Sequence, residues 1–219
     1  MRGQITTASR LADIVAAKPS TATILDELGV DYCCGGNRSL LEVFGDAPYK
    51  AAALAAELDE VVVPEDRDWR GASTGELIEY ILATHHVYTR KALGSVDPLL
   101  QQVMQAHFQH HGESLAAIHH MFNTLKAELE LHLLKEEKLL FPAILSGDES
   151  AKSLLSEMEY EHEDAGSILH KLQDQTKDFT PPDDACESYR ELFRQLKALS
   201  ADIHRHVHLE NYVLAERVS

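Results

Sequence analysis

Between Ile118 and Leu139 the apolar residues step by four and three along Ile118, Phe122, Leu125, Leu129 and Leu139, and His132 and Glu136 occupy the places that continue the stripe. That rhythm is the buried seam of an amphipathic helix, so an imidazole and a carboxylate are drawn into a core. The same interruption recurs twice. Leu155, Met158, Ala165, Leu169 and Leu172 flank His162, and Leu192, Leu196, Leu199, Ile203 and Val213 flank His206 and Glu210. Burying a carboxylate without a partner costs several kcal/mol, so a chain with glutamates at seam positions must fold around something that compensates them.

The pattern contains an echo. HLLKEEKLL at 132–140 and HVHLENYVL at 206–214 share His-x-x-x-Glu-x-x-x-Leu at an offset of 74, and the isolated His86 and His162 are 76 apart. The sequence reads as two related helix pairs, each offering one lone histidine and one His-x-x-x-Glu. An i, i+4 spacing sets both side chains on one helix face, and two such helices facing each other can bridge two metals through their carboxylates. Four imidazoles and two carboxylates suit iron, manganese or zinc and need no thiolate. Spacing alone leaves His85 and His86 open, because Ile78, Ile81 and Leu82 align with either. On the last helix His204 and His208 fall off the seam and are expected to be exposed. Glu128, one turn before His132, and Glu161, beside His162, are either positioning groups for the imidazoles or ordinary surface glutamates.

The helices that carry these residues are expected over Ser73–Leu93, Glu113–Leu145, Ser150–Gln175 and Asp184–Ala215. In DFTPPDDA, Pro181 and Pro182 stop one helix and Asp183 or Asp184 can cap the next. The stretch from Gly94 to Gly112 reads either as an extension of the first helix or as a crossover. Before this bundle, residues 1–64 break into short helical pieces, Leu11–Ala17, Thr21–Leu28, Leu40–Phe44 and Tyr49–Leu58, punctuated by DYCCGG and followed by the linker-like VVVPEDRDW. The boundary is set near Pro64, giving a small helical N-terminal domain over 1–64 and a four-helix bundle over 65–219. With 44% hydrophobic but only 6% aromatic residues, the class is all-α.

A net charge of −16 without a local Lys/Arg cluster argues against nucleic-acid binding. No run of about 18 apolar residues and no signal-peptide core are present, which predicts a cytoplasmic protein away from the membrane. Three cysteines, Cys33, Cys34 and the distant Cys186, make no disulfide framework. Cys33 and Cys34 read as either small buried residues of a turn or a functional pair, and Cys186 as structural.

HLLKEEKLLFP, EYEHEDAG and HVHLENYVL, together with DYCCGG and DWR, resemble the repair-of-iron-centres family over nearly the whole chain. The resemblance implies a small module bearing a Cys-Cys pair joined to a hemerythrin-like bundle. Counting from DWR, it selects His86 over His85 and implies His86, His132, Glu136, His162, His206 and Glu210 as ligands of two non-haem iron ions. Glu136 and Glu210 would bridge them, with an oxo or hydroxo group completing the bridge. It further implies a bacterial cytoplasmic protein, monomer or homodimer, that restores iron-sulfur clusters after nitrosative or oxidative damage. Iron donation and nitric oxide chemistry are both possible routes, damaged iron-sulfur proteins would be transient partners, and Cys33 and Cys34 would serve transfer or access. One departure is visible, since the second helix ends its motif in Phe-Pro and the fourth in Ala215-Glu216. Two rival functions remain: a hemerythrin-like protein that binds or senses dioxygen or nitric oxide, and a ferritin-like oxidase. The latter needs two Glu-x-x-His motifs on paired helices, and only Glu159 to His162 lies on a seam.

Overall fold

The computed structural model describes residues 4–62 and 67–218, so the expected boundary near Pro64 lies outside the described residues. Every regular element among them is helical, with one isolated antiparallel bridge between Arg10 and Ser39. The chain forms two units, one holding the residues up to Glu79 together with those from His204 onward, the other Tyr80–Ile203.

In the first unit α1 (Leu11–Ala17), α2 (Thr21–Glu27), α3 (Leu40–Phe44) and α4 (Pro48–Glu60) are all short. Local signals set their limits. Ser39 and Glu42 form a capping box at the start of α3, and Gly45 closes that helix at a φ of 39°, a conformation that costs a side-chain-bearing residue more than glycine. Pro48 sits in the first turn of α4, where its missing N–H is no loss. Leu11, Leu25, Leu40 and Leu58 are fully buried and make the small core. Ser73 and Glu76 repeat the capping box at α5 (Thr74–Ile81). The C-terminal segment is tied into this unit by Asp26, which takes His204 and Arg205, and by Arg217, which donates to the carbonyls of Trp69 and Ala72.

The second unit is a helical bundle. α6 (Val87–Lys135) is one helical element of 49 residues, and straight it would span about 74 Å. It cannot be straight. Lys126 lies 2.6 Å from Asp97, and Glu137 lies 2.9 Å from His86, two pairs centred on the same point of the chain. The helix doubles back near Gly112, where a Cβ would stand 3.2 Å from the Phe108 ring. Gly94–Gly112 therefore extends the first helix. After α7 (Phe141–Ser146), α8 (Ser150–Gln175) runs antiparallel to the second limb, as Gln175–Ser114 and Glu161–His132 show. α9 (Glu187–Leu209) runs antiparallel to the first limb through Gln195–Ser95 and Asp202–His85. The result is an up-down-up-down bundle with Leu93, Leu100, Phe122, Leu125 and Leu192 in its core. Between α8 and α9, Lys177, Asp178 and Phe179 all take positive φ, and the Thr176 hydroxyl accepts from Phe179 N–H at 3.0 Å before the two prolines end the turn.

Candidate metal centre

Three segments of the chain widen from α to π geometry: Leu82–His86, Glu136–Leu140 and Glu210–Leu214. The first ends on His86, and the other two begin on Glu136 and Glu210. A π turn inserts one residue into a helix, which is costly and is found frequently at functional sites. Its effect on the seam is direct. Leu139, expected to continue the apolar stripe, is 52% exposed, and Leu140 takes its place in the core. The same slip buries two consecutive histidines. His85 and His86 both lie inside, His85 with Nδ1 3.0 Å from Asp202 and His86 turned to Glu136.

Within the bundle unit, His86, His132, Glu136 and His162 meet in one buried cluster, with Glu136 wholly shielded from solvent. The two carboxylate oxygens of Glu136 face different imidazoles: Oε1 lies 3.2 Å from His132 Nε2, and Oε2 lies 3.3 Å from His86 Nε2. His162 Nε2 stands 3.1 Å from His132 Nε2.

The opposite edges of two of these rings are held by carboxylates. His86 Nδ1 is 2.9 Å from Glu137, which also takes Arg90 at 2.8 Å. His132 Nδ1 is 2.9 Å from Glu161, which also takes Lys135. The His132 hydrogen bond, with Lys135 behind it, holds the Glu161 carboxyl down at about 2. Burial would raise Glu137, but Arg90 and His86 bring it below its ordinary value. An ionised carboxylate can only accept, so Nδ1 of each ring carries the proton and Nε2 is the edge turned inward. Glu161, which the sequence offered as a candidate, contacts the His132 ring, whereas the contacts of Glu137, Arg90 and Lys135 were hidden. Glu137, directly after Glu136 at the start of the π turn, is partly exposed and lies off the seam that the spacing defines. Glu128 does not join them. It is exposed, and partial burial with the charges of Asp164 and Glu161 raises its pKa.

In the other unit His206 Nε2 lies 3.0 Å from Glu210 Oε1, both residues almost fully buried. His204 and His208 correct the sequence expectation, because neither is exposed. His204 is half-buried on Asp26, and His208 is 1% exposed with Nδ1 3.4 Å from the Tyr32 carbonyl, burial pushing its pKa down to about 4. What draws them in is the cysteine turn. Asn211 donates to the Cys33 carbonyl and Tyr212 to the Cys34 carbonyl, each at 3.2 Å. Asp31 organises the turn from within, its carboxylate accepting the N–H groups of Cys33, Cys34 and Gly35 at 2.8–3.0 Å. Cys33 is buried and Cys34 partly so, with their sulfurs 3.8 Å apart. Hydrogen bonding to Cys34 and burial push the Cys33 thiol up. Cys186, by contrast, is exposed.

The donor set fits a metal ion. Two ligands bonded at about 2.1 Å to one ion stand about 3.0 to 3.4 Å apart for angles between octahedral and tetrahedral. The four contacts above, 3.0–3.3 Å, all fall in that range. Imidazole with carboxylate is the donor chemistry of iron, manganese and zinc.

Comparison with known proteins agrees with this chemistry. Residues 77–218 match the hemerythrin HHE cation binding domain, and residues 7–62 match a domain of unknown function, DUF542. The chain is 33% identical over 214 residues to the iron-sulfur cluster repair protein YtfE of Musicola paradisiaca, covering 94% of each chain. It is 32% identical to YtfE of Pectobacterium carotovorum, over 94% of this chain and 95% of that one. The probable iron-sulfur cluster repair protein of Haemophilus influenzae is 31% identical, over 95% of this chain and 96% of that one. A cation-binding hemerythrin domain behind a small Cys-Cys module, matched to these relatives over 94–95% of the chain, places the chain in the repair-of-iron-centres family of iron-sulfur cluster repair proteins.

Proposed function

We propose that this protein is a cytoplasmic di-iron protein that repairs iron-sulfur clusters damaged by oxidative or nitrosative stress. His86, His132, Glu136, His162, His206 and Glu210 would together hold two irons, bridged by the two glutamates and an oxo or hydroxo group. The observation that carries the reading is the placement of Glu136, whose two oxygens address two separate imidazoles at 3.2 and 3.3 Å. A carboxylate that served a single ion, or a single hydrogen bond, would have no need to be divided in this way. The names of the relatives support the repair role, and the cation-binding domain supports a metal at this position.

When bound, the iron pair supplies redox and Lewis-acid chemistry toward small ligands. The chain supplies the rest. Glu161 and Glu137 hold the His132 and His86 rings so that Nε2 is presented inward, and they take up positive charge as the imidazoles become ligands. Burial excludes water. Six protein donors for two irons leave positions that can exchange, which both iron donation and a reaction with nitric oxide require. The Cys33–Cys34 turn, clamped by Asn211 and Tyr212 next to Glu210 in sequence, is suited to a transfer or access role.

The test uses full-length protein loaded with isotopically labelled iron, beside a Glu136→Ala, Glu210→Ala double variant. Metal analysis and Mössbauer spectra are expected to give two coupled irons in the wild type and loss in the variant. An iron-sulfur enzyme inactivated by peroxide or nitric oxide should recover in the presence of the wild type only, with label entering its cluster if iron is donated. Unchanged metal content in the double variant would sink the site. Intact iron with no recovery of the damaged enzyme would sink the function and favour a hemerythrin-like sensor of dioxygen or nitric oxide.

A further inference from the structure

The bundle carries a second group of metal-ligating side chains far from the first. His107 lies 21 residues beyond His86 in sequence, about 30 Å along a continuous helix. It and His111 stand one turn apart on α6, close to where that helix doubles back. Across from them the chain runs through Asp184, Ala185 and Cys186 in non-helical backbone before α9 begins at Glu187. His107 Nε2 is 3.1 Å from Cys186 Sγ, and His111 Nε2 is 2.9 and 3.1 Å from the two oxygens of Asp184. Tyr189, buried beneath, sets both rings by edge contacts at centroid distances of 5.2 and 5.8 Å.

We propose that His107, His111, Asp184 and Cys186 form a second metal site, for a divalent cation of the zinc class, tying the corner of α6 to the start of α9. Two imidazoles, a thiolate and a carboxylate make a four-donor set of the kind that tetrahedral zinc accepts. The spacing is that of a site built from a rigid half and an adaptable half. The histidines come i, i+4 from a helix, and the other two donors come i, i+2 from irregular backbone. Each imidazole already faces one partner at 2.9–3.1 Å, a few tenths of an ångström inside the roughly 3.3–3.6 Å that tetrahedral zinc sets between two such ligands, so each pair opens slightly as the ion enters. Closing the two pairs onto one ion requires the rings, 6.1 Å apart at their centroids, to converge by side-chain rotation. Asp184 and Cys186, both exposed, can follow them. Binding converts the Cys186 thiol to a thiolate and releases its proton to solvent, with no change in oxidation state. The first centre has no thiolate among its donors, so a cation that favours sulfur would choose this end of the bundle.

Cys186 itself reports occupancy. Full-length, iron-loaded protein is treated with iodoacetamide with and without one equivalent of zinc, and alkylation is followed at each cysteine by peptide mass spectrometry. Zinc is expected to slow alkylation of Cys186 by about tenfold or more, because a metal-bound thiolate is a poor nucleophile toward the reagent. The effect should vanish in a His107→Ala, His111→Ala variant that keeps its iron spectrum. A second measurement avoids any dependence on that variant's folding. Cobalt added to the iron-loaded wild type should give a thiolate-to-metal charge-transfer band that disappears in Cys186→Ser, a change at an exposed position. Equal alkylation rates with and without zinc, protection that survives loss of both histidines, protection only at millimolar zinc, or a cobalt band unchanged in Cys186→Ser would each overturn the proposal.

Discussion

Replacing Glu161 by glutamine tests whether the imidazoles are presented to a metal or merely packed. Glu161 accepts from His132 Nδ1 at 2.9 Å while Lys135 neutralises its other oxygen. A hydrogen bond to a charged group contributes roughly 1.5–3 kcal/mol, against roughly 0.5–1.5 for a neutral pair, so the carboxamide should lose about 1–2 kcal/mol of support for a metal-bound ring. At about 1.4 kcal/mol per tenfold this weakens metal binding by about an order of magnitude, within the 10–100-fold that loss of such supporting groups typically costs. Glu128→Gln is the control, since Glu128 lies one helical turn from His132 yet is exposed. Affinity is read by competition with a chelator, followed through the absorbance of the iron-loaded protein. Glu137→Gln should behave like Glu161→Gln through His86, and the double variant should lose close to the sum, about two orders of magnitude, if the two rings serve different ions. The reasoning fails if Glu161→Gln binds metal as tightly as the wild type, or if Glu128→Gln loses as much.

Three further outcomes are expected. Gly36→Ala should destabilise the protein by about 1–3 kcal/mol and speed alkylation of the buried Cys33, because the new Cβ would meet the Tyr32 carbonyl at 2.4 Å and the Tyr212 ring at 2.7 Å; thermal unfolding and mass spectrometry would show it. Glu76 is held down at about 2 by its backbone and side-chain bonds to Ser73 and by Arg67, so its contribution is present above its unfolded pKa near 4.5 and is lost as pH falls toward 2. Acid unfolding of the metal-free protein should accordingly be less steep in Glu76→Gln through that window, and an identical pH profile would refute it. Phe122→Ala, at a fully buried position of the bundle core, should cost roughly 3–5 kcal/mol in denaturant unfolding, and a loss below 1 kcal/mol would mean the core closes without it.

The sequence carried the bundle because helix seams are written in the spacing of apolar residues. Ile118, Phe122, Leu125 and Leu129 are buried as their period requires, and α8 begins and ends at Ser150 and Gln175, where local punctuation sets it. The reversal near Gly112 was legible only in part. The second helix was expected to start at Glu113, but Gly94–Gly112 read as either an extension or a crossover, because no proline marks the corner and the backbone remains helical through it; contacts such as Asp97–Lys126 place the turn.

The failures of periodicity cluster at the proposed centre, and they share one cause. A seam read at 3.6 residues per turn assumes a constant register, and each π segment breaks it by one residue. Leu139 is expelled and Leu140 admitted, and His85 and His86 are both drawn inside. His208 escaped for a different reason. It lies off the bundle seam, but the Tyr32 carbonyl covers it, and contacts made by a chain segment some 176 residues away leave no periodic trace. The register breaks are themselves informative. A helix accepts the cost of a π turn where regular geometry would aim a needed side chain away from its target, and here the three turns start or end on His86, Glu136 and Glu210. If those turns exist to aim ligands, deleting Leu140 would restore an α register through that segment and leave the bundle folded. Leu139 would return to the seam, and metal binding would fail while helicity by circular dichroism held. A deletion variant that binds metal normally would mean the π turns serve packing instead.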